Sequence, residues 1–264
     1  MDWLAPGWTG EDGVRALMTT RHGGVSAGPY ESLNLRAGPT PDLPDDVPAA
    51  VEENRRRLAR VLGARPVYLE QVHGADVVRL TAAHLHAARP AVRADAAVTT
   101  EAGVGCTVLV ADCLPVLMCA PGGTAVGAAH AGWRGLAAGV LERTVEALCI
   151  AAGCQPYQVR VWMGACIGPQ AFEVGADVLQ AFGVPRTDGG SEVAPRHFEP
   201  RLRPDGQMRW RADLAGLARD RLRAAGVVEH SGGQWCTVSD PKRFFSYRRD
   251  RVTGRMAAVI ARAL

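Results

Sequence analysis

The chain has 264 residues, 47% hydrophobic and 22% charged, enough to bury a sizeable core and unlike a disordered, collagenous or disulfide-scaffold composition. No apolar run approaches the roughly 18 residues of a membrane span, and the opening MDWLAPGWTGEDG has neither a basic nor an apolar leader region, so a cytoplasmic protein with no membrane partner is expected. The net charge of +3 hides an asymmetry, 16 Arg/Lys against 9 Asp/Glu from Arg186 onward; with Lys242 the sole lysine, this reads as arginine-rich composition, and no nucleic-acid partner is expected.

In chain order, a strand is predicted over 14–20, followed by the polar loop RHGGVSAGPYESLNL, long enough to cover something. Gly24 to Gly28 formally match the G-x-S-x-G nucleophile elbow, but Pro29 and more loop follow where a helix is required, so the match is read as a decoy. Asp45 and Asp46 precede a helix over 47–62, with Pro48 near its first turn, Val51, Leu58, Val61 and Leu62 on one face, and Gly63 as its stop. Strands are predicted over 67–72, running straight into His73-Gly74, and over 77–80. His84 and His86, two apart, are expected at the surface rather than as a ligand pair.

Two further strands, 94–100 and 104–110, lead into the central stretch VADCLPVLMCAPGGTAVGAAHAGWRG. Its short apolar runs, bounded by Gly and Pro, read as strand, turn, strand, with Cys113 at one end and His130 at the tight turn. A helix is predicted over 136–152, closed by Gly153, and a strand over 159–167. A short helix follows over 175–182, then a Pro- and Gly-rich region, 183–206, expected to be partly mobile. The chain closes with a helix over 211–225, strands over 226–230 and 243–247, and an apolar run over 256–263. Strands outnumber helices and many are hairpin-linked, so a single α+β domain, 1–264, with mixed sheets is expected over a doubly wound parallel fold. Neither G-x-G-x-x-G nor G-x-x-x-x-G-K-[ST] is present.

The seven cysteines, at 106, 113, 119, 149, 154, 166 and 236, are scattered and form no C-x-x-C pair, which excludes zinc-ribbon, thioredoxin-type and cytidine-deaminase-type signatures and suggests mostly reduced core residues. His73, Cys113 and His130 stand apart, because each closes or follows an apolar strand beside a turn. If they converge, two chemistries compete. Two imidazoles and a thiolate leave a tetrahedral zinc with an open fourth position. Alternatively Cys113 is a nucleophile with His130 as its base. Asp112 would orient a histidine in either case or bond locally.

The strings TTRHGGVSAGPYESLNL, ENRRRL, QVHGADVV, ADAAVTT, VADCLPVLM, HAGWRG, GACIGP, FEVG and FFSYRRDRVTGR, in this order from Thr19 to Arg255, closely resemble the YfiH-like family, also called the multicopper polyphenol oxidoreductase (laccase) or peptidoglycan editing factor family. The resemblance implies an α/β/β/α sandwich and a zinc held by His73, Cys113 and His130. It also implies action on purine nucleosides: adenosine deamination, and phosphorolysis of adenosine, guanosine or inosine and methylthioadenosine with inorganic phosphate as co-substrate. A bacterial branch is linked to editing of misincorporated serine in muropeptide precursors. Arg21, Arg134, Arg248 and Arg249 lie in family motifs and are candidates for binding phosphate, and Asn34 and Ser246 for reading sugar or base. Trp133 and Phe245 are candidates for stacking. ADL at 212–214 departs slightly from the family pattern, at no catalytic position. A true multicopper oxidase needs more imidazoles than the seven here, so copper is expected to be adventitious, bound for its place in the Irving–Williams order. A monomer or weak homodimer is expected.

Overall fold

The structure, a computed structural model, describes residues 2–10, 13–38, 45–86, 91–184 and 196–263. The elements run β1 (Val14–Met18), α1 (Pro48–Leu62), β2 (Arg65–Tyr68), β3 (Val77–Arg79), β4 (Ala96–Thr99), β5 (Val104–Val110), β6 (Leu114–Cys119), β7 (Val126–Ala131), α2 (Trp133–Ala137), α3 (Val140–Ala152), β8 (Arg160–Met163), β9 (Glu173–Val174), α4 (Ala176–Ala181), β10 (Phe198–Leu202), β11 (Met208–Ala212), α5 (Leu214–Ala224), β12 (Glu229–Gly232), α6 (Tyr247–Asp250) and β13 (Met256–Arg262). Among the described residues a four-stranded sheet has the order β1-β13-β5-β2, a six-stranded sheet β12-β8-β6-β7-β4-β3, and a small sheet β10-β11-β9. The two larger sheets are mixed: β2 runs parallel to β5 and β3 to β4, whereas β13, β6 and β7 pair antiparallel with their neighbours.

Period-two alternation explains how these sheets stack. Along β13, Met256, Ala258 and Ile260 point into a core shared with Cys106 and Val108 of β5 and with Leu117, Cys119, Val126 and Ala128 of the other sheet. The intervening Ala257, Val259 and Ala261 face Leu58 and Leu62 of α1. On the far side, Leu114, Val116 and Met118 of β6 meet α3 and α5 through Leu141, Leu148, Leu217 and Leu222. The four layers are α1, sheet, sheet and α3/α5, which is the expected α/β/β/α sandwich. Every residue of β6 and β7 is buried, and a fully buried Val or Leu there contributes about 1.5–3 kcal/mol. No described helix is long and apolar enough to cross a membrane.

Several elements differ from their predicted form. The expected 136–152 helix is split into α2 and α3, because Gly139 adopts φ 89° between them. Val61, expected on the buried face of α1, is exposed. The predicted strand at 243–247 is turn followed by α6, with Phe244, Phe245 and Ser246 all fully buried, so no alternation survives there. β11 occupies the start of the predicted 211–225 helix, and the hairpin of β10 and β11 falls partly in the region expected to be irregular. The rest of that expectation, 185–195, lies outside the described residues.

Candidate metal centre

Two of the three strand-end residues sit where the chain passes from one large sheet to the other. His73 lies between β2 and β3, and Cys113 in the turn between β5 and β6. His130 is near the end of β7, paired in register with Pro115, and the next pair, Leu114 with Ala131, carries Cys113 alongside Gly132. A Cβ on Gly132 would lie 3.0 Å from Cys113 Sγ and 3.1 Å from His73 Cδ2, so glycine is what admits this approach. The one donor atom offered by each of His73, Cys113 and His130 lies within 4.8 Å of the other two, and His73 Nε2 is 3.9 Å from Cys113 Sγ. The imidazoles meet edge to face with centroids 4.9 Å apart. His73 is exposed, Cys113 half-buried and His130 buried, so the cluster opens to solvent on one side.

Asp95, completely buried, organises the pair of histidines. Its Oδ1 accepts from His130 Nδ1 at 2.8 Å and from the His73 N–H at 2.9 Å, while Oδ2 accepts from the N–H groups of Val72 (3.1 Å) and Gly74 (2.7 Å). One carboxylate thereby fixes the His130 ring with Nε2 forward and holds the backbone that carries His73, whose φ is 61°. Burial pushes the Asp95 carboxyl up, but the bond from His130 and the main-chain donors outweigh it and keep it below the usual range. Burial also opposes the Cys113 thiolate, yet the charge and hydrogen bonds of His130 and His73 bring the thiol down to about 6. Burial disfavours the His130 imidazolium, and the Cys113 thiolate and Asp95 nevertheless raise its pKa to about 9.

Asp112 turns out to have a local role. With φ 91° it shapes the turn before Cys113, and its carboxylate accepts from Thr237 Oγ1 and from the Arg248 N–H, each at 2.6 Å. Asp95 is the orienting acid that sequence reasoning missed. The clue was a lone carboxylate inside the apolar run ADAAVTT, where a charge needs partners.

The donor set fits a metal ion. A thiolate and two imidazoles at bond lengths of about 2.0–2.3 Å suit tetrahedral zinc, with a fourth position left for a ligand. The separations found, within 4.8 Å, would close to roughly 3.3–3.6 Å around a tetrahedral ion, and the Asp95 bond to Nδ1 supplies the outer partner that metal-binding histidines use. Among the described residues this is the one group of three or more His, Cys, Asp or Glu close enough to hold an ion. A trinuclear copper cluster has no counterpart among them.

The cluster opens into a cavity of about 1660 Å³ whose lining includes Trp133, Arg134, Ile167, Phe172, Tyr247 and Arg248. Of the residues expected to bind substrate, Arg134 and Arg248 are there. Arg134 lies over the Trp133 ring at 4.4 Å; Arg248 lies over Phe172 at 5.6 Å and donates to the carbonyls of Ala171 and Glu173. Arg21, Asn34, Ser246 and Arg249 do not line the cavity. Arg21 donates to the Glu31 and Pro241 carbonyls, and Arg249 to those of Thr237, Val238 and Phe244. Asn34 bonds Asp46 and the N–H groups of Arg36 and Arg255, and Ser246 caps α6 by accepting from the Arg249 N–H. Their polar atoms tie loops together. Trp133 is placed to stack on a ligand, whereas Phe245 is core. His84 is half-buried and bonded to Thr81, and His86 is exposed.

Known proteins resemble this chain in sequence and in fold. The family model described as multi-copper polyphenol oxidoreductase laccase matches residues 15–263. A Pseudomonas aeruginosa protein named purine nucleoside phosphorylase is 48% identical over 98% of this chain and 97% of its own. The Escherichia coli K12 protein named purine nucleoside phosphorylase YfiH is 47% identical over 97% of each. Among solved structures, a Neisseria meningitidis protein of the DUF152 family superposes with a TM-score of 0.84 at 41% identity, covering all of both chains. YlmD from Geobacillus stearothermophilus gives 0.84 at 36% identity over 99% of this chain and 96% of its own.

Proposed function

The chain belongs to the YfiH-like, multi-copper polyphenol oxidoreductase laccase family, and from that premise we propose that it is a zinc-dependent purine nucleoside enzyme whose principal reaction is phosphorolysis. The convergence of His73, Cys113 and His130 at the mouth of an arginine- and aromatic-lined cavity carries this reading. The relatives named purine nucleoside phosphorylase support it.

His73, Cys113 and His130 hold the metal, with Asp95 setting the tautomer of His130. Zinc in that position would supply Lewis-acid charge to a ligand in the cavity. Trp133 and Phe172 offer faces for the purine, and Arg134 and Arg248 bring guanidinium groups that match phosphate oxygens in pairs. In phosphorolysis a phosphate oxygen bonds to C1′ of the ribose as the C1′–N9 bond breaks; the electron pair leaves with the purine, which takes up a proton. Methylthioadenosine would react at the same bond. Deamination of adenosine adds water at C6 and expels ammonia, and belongs to the same proposal.

A second reading, hydrolysis of the bond that joins a misincorporated serine to a cell-wall precursor, with water added and the serine released, is favoured by cavity size. About 1660 Å³ exceeds the roughly 300–1,000 Å³ usual for small-molecule sites. The experiment that tests the first reading is metal content and nucleoside turnover, measured on wild type and Cys113→Ala purified without added copper. Stoichiometric zinc, lost together with turnover in Cys113→Ala, is the expected result. Full turnover by a metal-free Cys113→Ala protein overturns it.

A further inference from the structure

The cavity extends well beyond the metal ligands, and its far end has a composition of its own. β2 and β5 run in parallel, with Tyr68 opposite Thr107. Gln71 prolongs that pairing by exchanging two hydrogen bonds with the main chain of Leu109, at 2.8 and 2.9 Å. From Tyr68 to His73 is five residues and from Thr107 to Cys113 six, so at about 3.3 Å per residue the Tyr68 end lies at most roughly 20 Å from the donors. The cavity volume of about 1660 Å³, above the roughly 300–1,000 Å³ usual for small-molecule sites, leaves space beyond a purine nucleoside at the metal.

Arg36, Arg55, Arg65 and Arg255 also line the cavity. The first two and Arg255 gather around one short segment: Arg55 Nε donates to the Leu35 carbonyl, and the Arg255 N–H donates to Asn34 Oδ1, which also takes the Arg36 N–H. Arg55 lies 3.8 Å over the Tyr68 ring. The Tyr68 hydroxyl is buried beside it with no hydrogen-bond partner among the described residues. None of the four guanidinium groups makes an ion pair with a described carboxylate. The acids that line the cavity are Glu70, unpaired in the same sense, and Asp112, already bonded to Thr237 and Arg248. Asp46, near Asn34, is taken up by Ser26, Asn34 and the Val47 N–H. Burial first, and then the charge of Arg36, pulls the Arg255 pKa down, against the opposing charges of Cys113 and Asp112. Clustered, partly desolvated like charges and an orphaned hydroxyl raise the energy of the empty site, and an oxyanion relieves both.

We propose that Arg36, Arg55, Arg65, Arg255 and Tyr68 form a second subsite that binds an oxyanion, phosphate or carboxylate, distinct from the metal ligands. The ligand that fills the whole cavity is an elongated molecule with an anionic group at the end opposite the one that reacts. This rests on the nucleoside reading for what sits at the metal, but the anion subsite itself does not depend on turnover.

The test is calorimetric binding to the zinc-loaded chain of three probes: adenosine, adenosine 5′-diphosphate and inorganic pyrophosphate. Variants are Arg36→Ala, whose side chain makes no described hydrogen bond, and Tyr68→Phe, which removes only the orphaned hydroxyl. The diphosphate is expected to bind at least tenfold tighter than adenosine, with Arg36→Ala erasing that advantage and Tyr68→Phe reducing it severalfold, adenosine affinity staying within twofold. Pyrophosphate binding weakened by Arg36→Ala, with no gain for the diphosphate over adenosine, also supports the subsite and identifies its occupant as a free anion. Pyrophosphate binding of that kind without any adenosine binding supports the subsite and overturns the purine reading. Equal affinities for adenosine and its diphosphate, with pyrophosphate unaffected by either substitution, overturn the subsite.

Discussion

Replacing Asp95 by Asn tests whether one buried carboxylate holds the centre together. The change keeps side-chain volume but puts an NH₂ group where Oδ2 now accepts from Val72 and Gly74. Two hydrogen bonds to a buried charge are lost, each worth about 1.5–3 kcal/mol, and the metal-free protein is expected to lose about 3–5 kcal/mol by urea denaturation. Metal affinity is expected to fall about 10- to 100-fold, the usual cost of removing an outer partner of a ligating histidine. Without the carboxylate the His130 pKa also drops from about 9, which eases proton competition at neutral pH and hides part of that loss. The chelator competition should therefore be read above about pH 9, where wild type no longer carries the proton either. Wild-type stability together with wild-type affinity at that pH would refute the reasoning.

Metal affinity should depend on pH with a definite sign. Between about 6 and 9 the metal-free pair is Cys113 thiolate with His130 imidazolium, so binding expels one proton. The association constant is expected to rise about tenfold per pH unit across that window and to flatten above it, as chelator competition at several pH values would show. Gly132→Ala meets no backbone penalty at φ −65° but places a methyl 3.0 Å from Cys113 Sγ; metal affinity is expected to fall at least tenfold with secondary structure intact, read by zinc titration and circular dichroism. Tyr68→Phe, which deletes a buried hydroxyl without a described partner, is expected to stabilise the ligand-free protein by about 1 kcal/mol, measured as a higher Tm.

Residues whose context was punctuated by turns were legible in the sequence. His73, Cys113 and His130 each close an apolar run, and the structure brings those strand ends together. Residues whose partners are distant in sequence were not. Nothing local distinguishes Arg21 and Arg249, which do not line the cavity, from Arg134 and Arg248, which do, because the choice is made by tertiary packing. The hairpin of β10 and β11 was missed for another reason. Its turn, Pro204-Asp205-Gly206, is a clear signal, but most flanking residues are exposed or half-buried and show no apolar alternation. Phe244 and Phe245 misled in the opposite sense, since two consecutive buried aromatics in a tucked-in loop resemble a buried strand.

The placement of His73 and Cys113 at the two crossings between sheets bears on how the chain folds. Pairing of β6 with β7 alone sets Cys113 beside His130, whereas His73, at the other crossing, completes the set only once the layers have docked. An ion held there ties residues 73, 113 and 130 into closed loops, acting as a reversible crosslink. Uptake of metal from a chromophoric chelator during refolding would then time the docking step, trailing the burial of Trp162 in the core between the sheets.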